Sequence, residues 1–364
     1  MTQDATQGPG DRLWAIVPAG GAGTRLWPLS RASSPKFLHD LTGSGRTLVQ
    51  ATVDRLVPLV GERLLVVTGT AHRDAVLSQT GLPGERVLAE PTARDSMAAI
   101  GLAAAHVERI DPDGLVGSFA ADHVIGDDAL FRRTLVEAAA VADTGLLVTI
   151  GIEPTGPSTA FGYVRPGAPL DGFASARAVV EFVEKPDAQR AAAYVEQGYR
   201  WNAGMFVARA STLLDLLAAH HPPLAAGLRA IAAEPGSLEE RWPGLQRIAI
   251  DHAVAEPAAA AGRVAVVPGS FGWDDVGDFA SLRELLDRGA ADHTLTVLGD
   301  PDRVVAHEAT GLVVPGGRVL AVAGLEDVVV VDTGDAVLVT RGDRAQDVKR
   351  LVEQLRGAGH SDLL

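Results

Sequence analysis

The stretch Ala15 to Ser30, AIVPAGGAGTRLWPLS, runs from an apolar strand-like segment straight into a loop with three glycines, Gly20, Gly21 and Gly23. Glycine lets backbone N–H groups close on phosphate oxygens, and Arg25 adds a full positive charge directly behind them. Lys36 follows in SSPKFL, a compact cation on a flexible stem. Binding of a phosphate-bearing ligand is the chemistry this set can do. As a dinucleotide fingerprint, Gly21-Ala22-Gly23-Thr24-Arg25-Leu26 supplies the first two glycines but places Leu26 where close helix–strand packing needs the third. As a P-loop it lacks the Gly-Lys-Ser/Thr ending. Ordinary strand-to-helix loops also contain glycine, so the loop alone leaves its ligand open.

Such a loop works only if a strand aims it. LWAIVP, LLVVTG, RVLAE, LVGSFAAD and LLVTIGI read as strands and alternate with helix-period segments around Thr47–Leu59, Ser96–Arg109 and Asp127–Val141. This alternation predicts an α/β fold of βαβ units, a mostly parallel sheet with helices on both faces. Ligands of such sheets sit at the carboxyl ends of strands, which singles out the loops PAGGAGTR, AEPTARDS and AADHV. The middle is more mixed: AVVEFVEKP, WNAGMFVARA and GRVAVVPGSFGWDD read as strands, separated by helices at about Asp187–Gln197 and Ser211–His220. From about Leu295 to Thr340 short Val-rich strands with Gly/Asp turns take over, and a helix over Asp343–Arg356 follows. These patterns divide the chain into a main domain, 1–290, and a small β appendage with a terminal helix, 291–364.

Composition narrows the ligand. A net charge of −14 argues against nucleic acid or an anionic membrane as the main partner, while leaving room for phosphates in a local pocket of cations. The absence of cysteine excludes disulfides, thiolate chemistry and Cys-based zinc sites. The polar segment MTQDATQGPGDR is not a secretory signal and no apolar run reaches bilayer-spanning length, so a cytoplasmic protein is expected. Among 32 Lys and Arg there are only three lysines, Lys36, Lys185 and Lys349, and Asn202 is the sole asparagine. Where Arg does nearly all the cationic work, a surviving lysine marks a position that needs a point charge rather than a planar fork.

The string GGAGTRLWPLS with PKFL resembles the signature of the sugar-nucleotide pyrophosphorylases, and its WPLSR…PKFL form looks most like the mannose-1-phosphate guanylyltransferases. The resemblance runs from about Leu13 to Gly277 and implies a Rossmann-like nucleotidyltransferase domain, with the tail resembling a left-handed β-helix-like extension. It implies that Ala19, Gly20, Gly21, Gly23, Thr24 and Arg25 hold the nucleotide. AEPTARDSMAAI resembles the family's E-P-x-x-R-N-T-A-P-A-I segment against base and ribose, carrying over Glu90, Arg94 and Ser96. Asp95, Met97 and Ala98 depart from it, and an Asp/Ser cap opening a helix fits the same residues. FAADHVI resembles P-A-D-H-x-I and sets Asp122 at a strand's carboxyl end, a natural place for a Mg²⁺ ligand; SFGWDDVGDF resembles F-G-W-S-D-V-G and makes Asp275 the second, with Asp274 in the usual Ser position. For the acceptor, PTGPSTAFGYV aligns Gly162 and Tyr163, VEFVEKPD supplies Glu184 for sugar hydroxyls and Lys185 for the sugar phosphate, and WNAGMF brings Asn202 near the sugar. IAIDHAVAEP resembles S-I-D-Y-A-V-x-E, and without a ligand-spaced histidine cluster His123 and His252 read as packing or surface residues.

The implied reaction joins a nucleoside triphosphate, GTP, to a hexose 1-phosphate, mannose 1-phosphate, by in-line displacement. Arg25, Lys36, Asp122 and Asp275 form the catalytic set, and Mg²⁺ is the cofactor. A sibling transferase with another base or sugar, or a catalytically silent sugar-nucleotide-sensing subunit, are the alternatives. All four catalytic positions are filled, which argues against the silent subunit. The tail implies a homodimer, and the length implies that no fused isomerase domain is carried.

Overall fold

The computed structural model describes residues 8–21, 23–288 and 295–364. Ala22 and the boundary expected at 290/291 therefore lie outside the described residues. The main sheet is built from β1 (Leu13–Ala19), β2 (Leu64–Gly69), β3 (Val87–Glu90), β4 (Leu115–Ser118), β6 (Leu147–Ile152), β7 (Gly162–Pro169), β8 (Arg177–Val183), β9 (Arg200–Arg209) and β10 (Val264–Gly269). Their order is β3-β2-β1-β4-β9-β6-β10-β8-β7, and the short strand β5 (Val124–Ile125) pairs separately with β11 (Trp273–Asp274). Pairing is parallel from β3 to β4 and between β6 and β10. The sheet is mixed because β9 enters antiparallel to both β4 and β6, and β7 and β8 extend it antiparallel.

Strands covered on both faces are apolar at nearly every position rather than at alternate ones. LWAIVPA in β1 is accordingly buried at every position but the half-buried Pro18, and LLVVT in β2 is buried throughout. Val49, Val53 and Leu56 of the Leu48–Val60 helix join Phe131 and Leu135 of the Asp128–Ala142 helix over one face. Ile100 and Ala104 of the Asp95–Ile110 helix join Leu213, Leu217 and Leu228 of the Ala210–His220 and Pro222–Ala233 helices over the other. This sandwich leaves the carboxyl ends of β1, β3 and β4 as the open edge.

The tail coils as a β-helix-like unit. β12 (Leu295–Val297), β14 (Gly311–Val314) and β16 (Val328–Asp332) stack in parallel, and β13 (Val304–His307) pairs in parallel with β15 (Leu320–Ala323). β17 (Val337–Arg341) closes the stack antiparallel to β16. The helix expected over Asp343–Arg356 starts later: Gly342–Asp347 is a 3₁₀ stretch and the α-helix runs Val348–Gly357. A third core ties the tail to the main domain, with Leu26, Trp27, Leu41, Val276, Phe279 and Leu282 packed among Leu312, Val314, Val329, Val331, Val348 and Val352.

Candidate active site

β1 delivers its loop at the open edge, where Gly23 has φ 57° and Thr24–Leu26 form a 3₁₀ turn. A Cβ at Gly23 would lie 2.7 Å from Ser30 Oγ and 3.1 Å from Lys36 Cβ, so this position excludes any larger residue while Lys36 stays in place. Lys36 Nζ lies 2.9 Å from Asp122 Oδ2 and donates to Asp275 O at 2.7 Å and to Val276 O at 3.3 Å. One ammonium thus gathers the β4 loop and the loop after β11, some 240 residues downstream of it. Burial pushes the Asp122 carboxyl up, but the adjacent Lys36 charge, His123 and hydrogen bonds outweigh it and the net shift is downward. Burial also pushes Asp275 up, and although Lys36 opposes this, Asp274 and Asp122 add repulsion and the net shift is upward. A carboxyl held up beside two others is short of positive charge, and a divalent cation would supply it. No cage of three or more His, Asp or Glu side chains exists among the described residues. Two carboxylates fit an ion that takes its remaining oxygens from a phosphate ligand.

One cavity opens on the Asp122 side of this pair and another on the Asp275 side. The first, about 360 Å³, is lined by Gly20, Gly21, Glu90, Arg94, Asp95, Ser96, Arg247 and, at one end, Asp122. Burial pushes the Glu90 carboxyl up to about 7, and its Oε2 finds no hydrogen-bond partner among the described residues. Arg94 donates from Nη2 to Pro243 O at 2.6 Å, leaving its buried Nε without a partner among those residues. Ser96 lines the cavity too, but its hydroxyl accepts from Ile250 N at 2.9 Å and so docks the 248–250 segment on the helix start. The Asp/Ser cap is not formed: Arg94 is the N-cap, and Asp95, at φ 67°, accepts from the neighbouring Ser96 N at 2.9 Å.

The second cavity, about 160 Å³, is lined by His123, Phe161, Gly162, Glu184, Asn202, Asp251, Trp273 and Asp275. Beyond Phe161 and Trp273 it adjoins a wider cleft of about 520 Å³. Glu184 pairs with Lys185 Nζ at 2.8 Å, and Lys185 keeps 64% of its side chain exposed. Asn202 lines the wall, yet its amide is already engaged: Oδ1 accepts from Thr149 Oγ1 at 2.8 Å and Gly204 N at 3.1 Å, while Nδ2 donates to Asp251 Oδ1 at 2.9 Å. The amide therefore orients Asp251, a residue missed by the sequence reading. Burial and then Glu184 push the Asp251 carboxyl up to about 6. The signal was present in IAIDHAVAEP, where a carboxylate stands in an otherwise mostly apolar run.

Other positions resolve as structure. Asp274 Oδ1 accepts from Val276 N at 2.9 Å and Oδ2 pairs with Arg288 at 2.6 Å, which fixes the turn presenting Asp275. His123 packs edge-on to Trp273 at 5.3 Å, and burial lowers it to about 4, so it is neutral. His252 is an exposed partner of Glu256 at 2.8 Å. No helix is long and apolar enough to cross a membrane among the described residues.

Residues 14–290 match the nucleotidyl transferase family, and residues 302–355 match the MannoseP isomerase/GMP-like beta-helix domain. The chain is 40% identical to xanthan biosynthesis protein XanB of Xanthomonas campestris pv. campestris (strain B100), over 95% of this chain and 74% of that protein. It is 38% identical to mannose-1-phosphate guanylyltransferase of Escherichia coli (strain K12), over 96% and 75%. A crystal structure from Thermus thermophilus, described as a mannose-1-phosphate geranyltransferase, superposes with a TM-score of 0.86 at 36% identity, over 95% of this chain and 99% of that one. With the family match over residues 14–290 and relatives at 38–40% identity across most of its length, the chain belongs to the nucleotidyl transferase family.

Proposed function

We propose that the chain transfers GMP from GTP to α-D-mannose 1-phosphate, giving GDP-mannose and pyrophosphate. The observation that carries this reading is that Lys36 ties together the rims of two cavities of different chemistry, Asp122 of one and Asp275 of the other. The first cavity suits a purine nucleotide whose phosphates rest on Gly20 and Gly21 of its wall, with Arg25 in the turn that follows them. Glu90 suits guanine, because an unpartnered buried carboxylate oxygen requires donors and the guanine edge offers an N1–H and an amino group. The second cavity, with Glu184 and Asp251 as acceptors, suits sugar hydroxyls, and Lys185 suits the sugar phosphate. The relatives' names point the same way for base and sugar.

A sugar-phosphate oxygen attacks the α-phosphorus in line as the bond to pyrophosphate breaks. That oxygen is already anionic near neutral pH, so no general base is required. Arg25 and Lys36 neutralise the charge gathering on the phosphates, and preorganised cations of this kind are commonly worth ~10²–10³ in rate. Asp122 and Asp275 would hold Mg²⁺, which when bound supplies further positive charge at the departing pyrophosphate. We assign the enzyme to the cytoplasm, as a homodimer. Val337 and Val339, 47% and 63% exposed on the β17 edge, support self-association, and a monomer by light scattering at working concentration would refute it.

The test crosses four nucleoside triphosphates with the 1-phosphates of mannose, glucose and N-acetylglucosamine, following Mg²⁺-dependent pyrophosphate release. GTP with mannose 1-phosphate should lead every other pair by at least about tenfold in kcat/KM. A different winner would move the base or sugar assignment to a sibling activity, and no turnover with any pair would leave a silent sensing subunit.

A further inference from the structure

We infer that Gln346, in the β-helix tail, is a positioning residue for the active site: it bridges Arg25 of the glycine loop to the loop that carries Asp275. The inference rests on the reading of Arg25 given above. Gln346 lies in the 3₁₀ stretch Gly342–Asp347, whose Ala345 is buried in the core shared by Leu26, Val276 and Phe279. Its Nε2 donates to Asp278 Oδ2, and its Oε1 accepts from Arg25 Nη1 at 3.5 Å. Asp278 stands three residues after Asp275, and its other oxygen caps the Phe279–Leu286 helix through Ala280 N at 2.9 Å and Ser281 N at 3.0 Å.

The chemistry of the bridge is specific to an amide. A carboxylate at one end demands a donor and a guanidinium at the other demands an acceptor, and Gln supplies both from one rigid plane. Asp278 therefore sets which way the amide faces, and the amide oxygen then faces Arg25. A glutamate at 346 would repel Asp278, a lysine would repel Arg25, and an asparagine reaches too short a distance. The Arg25 contact is long, as catalytic hydrogen bonds often are before substrates bind. Gln346 itself is exposed, so replacing it leaves the shared core intact. The tail thereby acts beyond packing: it joins the cation of the nucleotide loop to the base of the second aspartate loop.

A double-mutant cycle on the full-length protein tests this. Gln346→Ala should lower kcat about tenfold, leave the KM for mannose 1-phosphate unchanged and leave the melting temperature unchanged. In an Arg25→Ala background the same replacement should cost less than about twofold, because its effect runs through Arg25. Gln346→Asn, which keeps the amide and the fold, should show the same loss as Gln346→Ala. Equal losses in both backgrounds, or full activity of Gln346→Ala, would overturn the inference while sparing the function. Full activity of Arg25→Ala would instead overturn the role of Arg25 on which both depend.

Discussion

Glu90 and Asp251 are carboxyls that the fold holds up, to about 7 and about 6, chiefly by burial. In the unfolded chain both titrate near their ordinary values, so between those values and the raised ones the folded protein keeps protons that the unfolded chain has lost. Their contribution to stability is full below about pH 4 and is lost as pH rises through the folded values. For Glu90 the loss amounts to up to about 3 kcal/mol. Asp122 acts in the opposite sense, since its pKa is lowered and its contribution is lost as pH falls below the usual carboxylate range. The melting temperature of the ligand-free protein should therefore drop between about pH 5 and pH 7.5, and Glu90→Gln should flatten that slope. A slope unchanged in Glu90→Gln would show that this carboxyl does not hold its proton in the fold.

At the scale of elements, β7 pairs along its length with β8, while its first residue, Gly162, pairs with Asn202 of β9 and lies against Glu184, just beyond β8, in the wall of the smaller cavity. A Cβ there would collide with Glu184 Oε2, the far end of a flexible side chain, so the strand can keep its place while Glu184 is pushed out. Gly162→Ala should raise the KM for mannose 1-phosphate about tenfold, with the KM for GTP and the melting temperature little changed; an unaltered sugar-phosphate KM would remove Glu184 from the acceptor site. The strings that carry the glycine loop, Asp122, Asp275, Gly162, Glu184 and Asn202 were legible as candidates in the sequence because each is local, a short run beside an apolar strand. The antiparallel entry of β9 was not, since its partners β4 and β6 are chosen by the shared core and not by any pattern within WNAGMFVARA. Nor was the use of Asn202, whose partner Asp251 is 49 residues away, or of Gln346, 321 residues from Arg25. Local strings name candidate residues, while side-chain pairs of that range exist only after the sheet has closed.

Taken whole, the molecule has no seam between its two folds at the site. Leu26, Val276, Phe279 and Leu282 are fully buried in a core whose other half is Leu312, Val329, Val331 and Val348 of the tail. Polar ties follow the same line: Trp27 Nε1 donates to Leu363 O at 2.7 Å, and Arg31 reaches Asp335 at 2.6 Å and Thr333 at 3.1 Å. Burying four such side chains is worth about 6–12 kcal/mol, the size of a domain's entire net stability of about 5–15 kcal/mol. Even half of that, lost on removing the tail, would leave the glycine loop and the Asp275 turn without support. Main domain and tail should therefore unfold together, in a single calorimetric transition whose van't Hoff and calorimetric enthalpies agree. A chain cut after residue 288 should melt at least about 10 °C lower and lose its turnover rather than persist as an active half. Two separate transitions, or an active truncated chain, would mean that the tail only decorates the catalytic fold, because a core that both halves truly share cannot melt in one and survive in the other.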